Sequence, residues 1–302
     1  MEIFHSLEEF FQTEYRTSLA LGFFDGVHIG HRSVIRSAVT EKGELKSAVL
    51  TFSCGSILPM KRQALLNSDR QKSRLIETLG VDILICADFE ELRGLSGEDF
   101  VSSVLREKLR AKKVFCGENY RFGKGASCGT EELRSYSEKH GIEVVVCSPV
   151  YDGGQPVSST RVRRLIEEGA IEEANRLLSY PFEIEGVIER GNHIGSMLGF
   201  PTVNIPLMTN AVVPRFGVYE SEIIIGGRPY RGATNIGVHP TVKEKSSPLC
   251  ETFILDFDGE ELYETEIRCR LIRFIRTEKK FSSLEALKEQ IHNDIKSISR
   301  SK

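Results

Sequence analysis

Residues 22–32 read Gly22-Phe23-Phe24-Asp25-Gly26-Val27-His28-Ile29-Gly30-His31-Arg32. They continue an apolar run of strand length, TSLALGFF over 17–24, and lead into a stretch where Val34, Ile35, Ala38 and Val39 share one helical face. Strand, glycine turn and helix in that order open an α/β unit. The residues downstream repeat the theme. SAVLTF (47–52) reads as a strand, a helix around 74–79 stops at Gly80, and VDILICA (81–87) reads as another strand. Ser96 and Asp99 form a capping-box pattern before the face Phe100, Val101, Val104 and Leu105, and that helix precedes the strand KVFCG. A further helix ends at Gly141, before IEVVVC. Strands that are apolar on both faces and alternate with helices predict a doubly wound parallel sheet.

The pattern changes near Pro181, after helical segments at 160–168 and 171–178. FEIEGVIE, VYESEII, ETFILDF and EIRCRLIRFI are short alternating strands, parted by turn signals such as Gly226-Gly227 and Asp258-Gly259. They predict a small antiparallel β-barrel, closed by a C-terminal helix over 282–295 with Ser282 and Glu285 as its capping box. The expected domains are 1–180 and 181–302. Two domains also suit 302 residues at roughly 150 residues per domain.

Composition narrows the function. A net charge of −3 excludes a basic nucleic-acid-binding surface as a whole-chain property and leaves room only for a local basic site, so no nucleic-acid partner is expected. No apolar run approaches the ~18 to 20 residues of a membrane span, and the acidic start MEIFHSLEEFF is unlike a signal peptide. A cytoplasmic location with no membrane partner is therefore expected. Seven cysteines without a CxxC pair support neither a disulfide framework nor a zinc site.

In an open parallel sheet, ligands bind at the carboxyl ends of strands, where the quoted stretch lies. Its glycines let backbone approach a phosphate, and the helix start offers free N–H groups. His28 and His31, three apart, present two imidazoles on one side of the turn. That arrangement suits a nucleotide under attack at its α-phosphate, with charge building on the departing pyrophosphate. One histidine at a helix start reads as a cap. Two, flanked by three glycines, predict a nucleotide site. Val157-Ser158-Ser159-Thr160-Arg161-Val162-Arg163 opens another helix after a strand, where the hydroxyls serve at least as caps and Arg163 suits a triphosphate tail. Gly117-Glu118-Asn119-Tyr120-Arg121-Phe122-Gly123 mixes aromatics with an amide, as a loop or a base pocket would.

Together and in this order, GFFDGVHIGHR, GENYRFG and VSSTRVR resemble the adenylyltransferase module of the prokaryotic bifunctional riboflavin kinase and FAD synthetase family, a nucleotidyltransferase-like fold. The resemblance implies an ATP site of Gly22, Phe24, His28, His31, Asn119, Ser159, Thr160 and Arg163, with His28 and His31 catalytic. The sequence departs from the family at Ser53-Cys54-Gly55, where a Pro-His-Pro-like segment is usual.

In the second half, GNHIGSMLGFPTVN (191–204) spaces Gly191, Gly195 and Gly199 four apart, and the chain has no GxxxxGK[ST] loop. Thr202 and Asn204, two apart on an extended segment, project to one face as hard oxygen donors suited to Mg²⁺. Without further context the stretch is equally a turn. GSMLGFPTVN, YRGATNIGVHPT, ETFILDF and RTEKKFSSLEALKEQIHND resemble the kinase half of the same family. That likeness implies kinase ATP contacts at Gly191, Gly195, Thr202 and Asn204, Mg²⁺ with ATP at Thr202 and Asn204, a general base at Glu251, and flavin contacts at Arg276 and Glu278. Ser196 and Phe253 replace the family's usual Arg and His.

The implied activity is phosphorylation of riboflavin to FMN, then adenylylation of FMN to FAD with release of pyrophosphate. Its partners are the small molecules ATP, riboflavin and FMN, and self-association is compatible with it. Two alternatives stand beside it: a riboflavin kinase with weakened or lost adenylylation, and a non-catalytic flavin-binding protein. A mere binder has little use for the base and metal donors this sequence keeps.

Overall fold

A computed structural model describes residues 1–57, 64–189, 200–238, 248–257, 262 and 264–299. The chain forms two compact units, Met1–Ser159 and Thr160–Lys302.

The first unit is built on β1 (Glu2–Phe4), β2 (Thr17–Leu21), β3 (Lys46–Phe52), β4 (Ile83–Ala87), β5 (Ala111–Gly117) and β6 (Glu143–Cys147). All pair in parallel, in the order β1-β4-β3-β2-β5-β6. Side chains alternate across a strand, so the sheet feeds two cores. Leu19, Leu21, Leu50, Ile83 and Val114 pack with Phe10, Val104 and Leu133 on one face. Ala20, Val49, Leu84 and Phe115 pack with Ile35, Ala38 and Ile76 on the other. This is the expected doubly wound arrangement. The chain steps from β2 through β3 to β4 on one side and places β5 on the other, so the topological switch lies between β2 and β5.

Local signals place the helices. Ser68 and Gln71 form a capping box that starts the Asp69–Glu77 helix, five residues before the segment expected from periodicity. Ser96 Oγ accepts from the Asp99 N–H at 3.1 Å, as its spacing predicts. A small hairpin, β7 (Tyr151–Asp152) with β8 (Gln155–Pro156), precedes the helix Ser159–Glu168.

The second unit contains β9 (Phe182–Val187), β10 (Thr202–Pro206), β11 (Gly217–Ile225), β12 (Arg228–Val238), β13 (Pro248–Ile254) and β14 (Glu266–Thr277). They form one antiparallel sheet, β10-β13-β12-β11-β14-β9. Its two outer strands meet: the Glu189 N–H donates to the Asn204 carbonyl at 2.9 Å in an antiparallel bridge, which closes the sheet into a barrel. Gly226 and Gly227, at φ 54° and 84°, make the two-residue turn between β11 and β12 that only left-handed backbone permits. The expected Asp258-Gly259 turn lies outside the described residues.

Inside the barrel Tyr219, Ile223, Ile236, Cys250 and Leu271 are fully buried. Among them sits a hydroxyl cluster in which Thr234 Oγ1 lies 2.7 Å from Ser221 Oγ and 2.8 Å from Thr252 Oγ1, with Cys269 Sγ at 3.4 Å. The alternate residues carry ion pairs, Glu220 with Arg231 and Arg273, and Arg270 with Glu183 and Glu222. The C-terminal helix, Leu284–Ser299, is capped by Ser283, whose Oγ accepts from the Ala286 N–H at 3.2 Å. The expected cap, Ser282, is one residue early.

The helices Ser159–Glu168 and Ile171–Leu178 group almost wholly with the barrel, whereas the expected domain border lay at 180/181. Asn175 accounts for the difference. Its Nδ2 donates to the Leu271 carbonyl on β14 at 2.8 Å, and its Oδ1 accepts from the Phe182 N–H at 2.7 Å.

Candidate active sites

In the first unit β2 ends at Leu21, and the chain turns sharply before the helix Ile29–Thr40. The turn is strained: Phe24 and Val27, both buried, hold φ at 53° and 35°, and Gly26 lies between them at 88°. Several contacts fix it. Thr51 Oγ1 donates to the Phe23 carbonyl at 2.8 Å, Arg32 Nε donates to the Val27 carbonyl at 3.1 Å, and Asp25 Oδ1 accepts from the Leu66 N–H at 2.9 Å. Phe24 folds back over Gly22, where a Cβ would lie 2.8 Å from its ring.

His28 is the N-cap of the helix, and its Nδ1 accepts from the His31 N–H at 3.3 Å. An accepting Nδ1 places the ring proton of neutral His28 on Nε2. The two imidazoles stack at 3.6 Å between centroids, and Phe24 meets His31 edge-on at 5.4 Å. Gly30 leaves room for the His28 ring, because a Cβ there would stand 3.2 Å from Cε1 and Nδ1. The predicted pair of imidazoles is thus one preorganised unit.

Ser159 joins this turn: its Oγ donates to the Asp25 carbonyl at 2.8 Å. Thr160 and Arg163 follow on the same helix, Arg163 being buried. Asn119 lies exposed in the turn after β5, at the carboxyl edge beside β2. Its aromatic neighbours serve packing, since Phe122 is part of the core and Tyr120 packs against it. At Ser53-Cys54-Gly55 a short helix, Cys54–Ile57, has its first N–H held by both Asp69 oxygens at 2.9 Å. Burial pushes the Cys54 thiol up to about 12, so it stays protonated at neutral pH. Lys72 escaped the sequence reading. It is almost fully buried, donates to the Phe52 carbonyl at 2.6 Å, and lies 4.7 Å from the Phe23 ring centroid. A charged residue on the buried side of the Asp69–Glu77 helix was the available signal.

In the barrel, Thr202, Asn204 and Glu251 come together. Asn204 pairs with Glu251 across β10 and β13, and Glu251 pairs with Asn235 across β13 and β12. Thr202 Oγ1 donates to Glu251 Oε1 at 2.8 Å. Phe253, two residues beyond Glu251, meets Phe200 edge-on at 5.3 Å, and Phe200 in turn meets His292 of the C-terminal helix at 5.0 Å. Asn204 Oδ1 is buried and meets no hydrogen-bond donor among the described residues. A buried amide oxygen without a donor beside a hydroxyl and a carboxylate fits a hard cation such as Mg²⁺. No cluster of three His, Cys, Asp or Glu capable of holding a metal occurs among the described residues. Gly191 and Gly195 lie outside the described residues. Arg276 is engaged elsewhere: Nε and Nη2 grip Asp294 at 2.8 to 3.0 Å, tying β14 to the C-terminal helix. Glu278, just past β14, is exposed.

A strand-turn-helix constellation on one unit and an oxygen-rich strand pair on the other match, in residue type, the two halves of a two-domain transferase family. The family model for FAD synthetase matches residues 11–161 and that for riboflavin kinase matches 178–302. A bifunctional riboflavin kinase/FMN adenylyltransferase of Listeria monocytogenes is 34% identical over 289 residues, covering 93% of this chain and 91% of its own. The protein of the same description from Escherichia coli K12 is 34% identical, over 91% of this chain and 90% of its own. A crystal structure from Streptococcus pneumoniae, described as a macrolide-efflux protein, superposes with a TM-score of 0.88 at 26% identity, over 99% of both chains. Among the described residues no helix is long and apolar enough to cross a membrane. The chain belongs to the bifunctional riboflavin kinase/FMN adenylyltransferase family.

Proposed function

We propose that this chain makes flavin nucleotides in two steps, using ATP in each. At the barrel, the riboflavin 5′-hydroxyl oxygen bonds to the γ-phosphorus of ATP, ADP leaves, and Glu251 takes the hydroxyl proton to give FMN. Thr202 supports that role by donating to Glu251 Oε1, which orients the carboxylate. Thr202 and Asn204 would hold Mg²⁺ with ATP, which supplies charge neutralisation on the phosphates.

In the first unit, an FMN phosphate oxygen bonds to the α-phosphorus of ATP and pyrophosphate leaves, giving FAD. His28 and His31 donate to oxygens that gain charge in that transition state. Gly22, Phe24, Asn119, Ser159, Thr160 and Arg163 complete the proposed adenylylation site, and Gly191 and Gly195 the proposed kinase ATP contacts. Both transfers proceed without a covalent enzyme intermediate, by positioning and charge stabilisation. A cytosolic location accords with these soluble substrates.

The observation that carries the reading is the presence of both constellations on one chain: the stacked, capped His28–His31 pair and the Thr202–Glu251 bond beside the buried Asn204 oxygen. Incubation with riboflavin, ATP and Mg²⁺, followed by chromatography, tests it. FMN and FAD together are expected. FMN alone would mean that adenylylation is lost, a result that would point to Ser53-Cys54-Gly55. Neither product would leave a flavin binder.

A further inference from the structure

The register that sets Glu251 beside Asn235 puts Gly237, two residues further along β12, on the same face. Gly237 does not occupy left-handed backbone, so its conformation is open to any residue. Space excludes a side chain. A Cβ at this position would collide with the Glu278 carboxylate oxygen, and would lie 3.3 Å from Glu278 Cδ and 3.3 Å from Asn235 Nδ2. β11 begins on another glycine: Gly217 stands between Ile236 of β12 and Thr277 of β14 in the sheet, one residue before Glu278. The Glu278 carboxylate thus passes the start of β11 and lies against β12, the strand that flanks Glu251 of β13.

We infer that Gly237 is a positioning residue for the flavin side of the kinase site: its missing side chain is what allows the Glu278 carboxylate to lie against β12, where it accepts from an O–H or N–H donor of riboflavin. The inference rests on the kinase reading proposed above and adds to it a residue that touches no substrate. Glu278 lies just past β14, beside Arg276, whose guanidinium bonds Asp294. The colliding atom is the end of an exposed, flexible side chain. Gly237→Ala therefore moves Glu278 instead of unfolding the barrel.

The test is a double-mutant cycle on the full chain, with Gly237→Ala, Glu278→Ala and the pair. It measures riboflavin KM and kcat for FMN formation, the thermal midpoint, and FAD formation from supplied FMN. Gly237→Ala and Glu278→Ala should each raise the riboflavin KM by roughly 10- to 100-fold, the loss for one hydrogen bond to a charged group. The kcat should stay within about twofold, and the double variant should be no worse than Glu278→Ala alone. The shorter carboxylate of Glu278→Asp, placed in the Gly237→Ala background, should recover part of the lost affinity, while the midpoint and adenylylation stay at wild-type values. Multiplying losses in the double variant, a loss confined to kcat or to the midpoint, or an unchanged KM in Gly237→Ala would overturn the inference while leaving the kinase reading intact. A wild-type chain that forms no FMN would overturn both.

Discussion

His28 has two separable duties, and substitution can divide them. As N-cap it accepts from the His31 N–H, and as an imidazole stacked 3.6 Å from His31 it is proposed to donate from Nε2 to a phosphate oxygen. Asparagine is a strong N-cap whose Oδ1 can take over the first duty but not the second. His28→Asn should then leave the thermal midpoint of the first unit within a few degrees of wild type. FAD formation from supplied FMN should fall by about 10² to 10³, the ~3 to 4 kcal/mol carried by a single donor to a transition-state oxyanion. His28→Ala should show the same kinetic loss and in addition lose the cap, about 1 kcal/mol, or ~2 to 4 °C for a unit of this size. FMN formation should be unchanged in both. The assay is chromatographic product analysis beside calorimetry. Less than a tenfold loss of FAD formation in His28→Asn would reduce His28 to a cap and refute the reasoning.

Three further outcomes are expected. Glu251→Gln keeps the Thr202 hydrogen bond but cannot take a proton, so kcat for FMN formation should fall by roughly 10² to 10⁴. A drop below tenfold with an unaltered acidic limb of the pH–rate profile would make Glu251 a positioning group in a loose transition state. A fragment of residues 160–302 should fold and phosphorylate riboflavin, while 181–302 should unfold at a lower temperature, because it lacks the buried Ile171, Leu177 and Leu178 and the Asn175 bonds. Equal midpoints would place the working border back at 180/181. Burial works to raise the Asp82 carboxyl, but bonds from Lys42 and from the Ser47 N–H and hydroxyl outweigh it and hold the group below its ordinary range. A folded-state value depressed in this way contributes stability above the unfolded carboxylate's pKa and loses it as pH falls through the folded value. Asp82→Asn should be destabilised at neutral pH, and its deficit should shrink in acid. A deficit that persists below the carboxylate range would show that the ion pair is not its source.

The α/β unit was legible because its central steps, from β2 and β3, combine a strand buried on both faces with an amphipathic helix, two periods that are hard to confuse. The same stretch exposed His28 and His31, because glycines and paired imidazoles have few structural uses at one turn. What stayed hidden depends on partners distant in sequence. β12 shows no clean alternation, since Pro229, Gly232 and Gly237 interrupt RPYRGATNIGV, and the expected strands reached that segment only through its likeness to a family pattern. The grouping of the Ile171–Leu178 helix with the barrel depends on such a contact, because Asn175 bonds Leu271, 96 residues away. The bond of Arg276 to Asp294, 18 residues on, is likewise beyond any local pattern. The helix cap shifted from Ser282 to Ser283 because adjacent serines are equivalent to a pattern and differ only in backbone geometry.

The hydroxyl cluster within the barrel also bears on how the barrel assembles. A one-residue slip of β13 would turn Thr252 outward, break its bonds to Thr234, and carry the Glu251 carboxylate into an apolar interior with no cation to meet it. Hydrophobic packing alone discriminates poorly between neighbouring pairings, whereas matched hydroxyls reject every pairing but one. Ser221, Thr234 and Thr252 thus act as an alignment key. The spacing of Thr202, Asn204, Asn235 and Glu251 on the outside is indexed by bonds that no substrate ever touches.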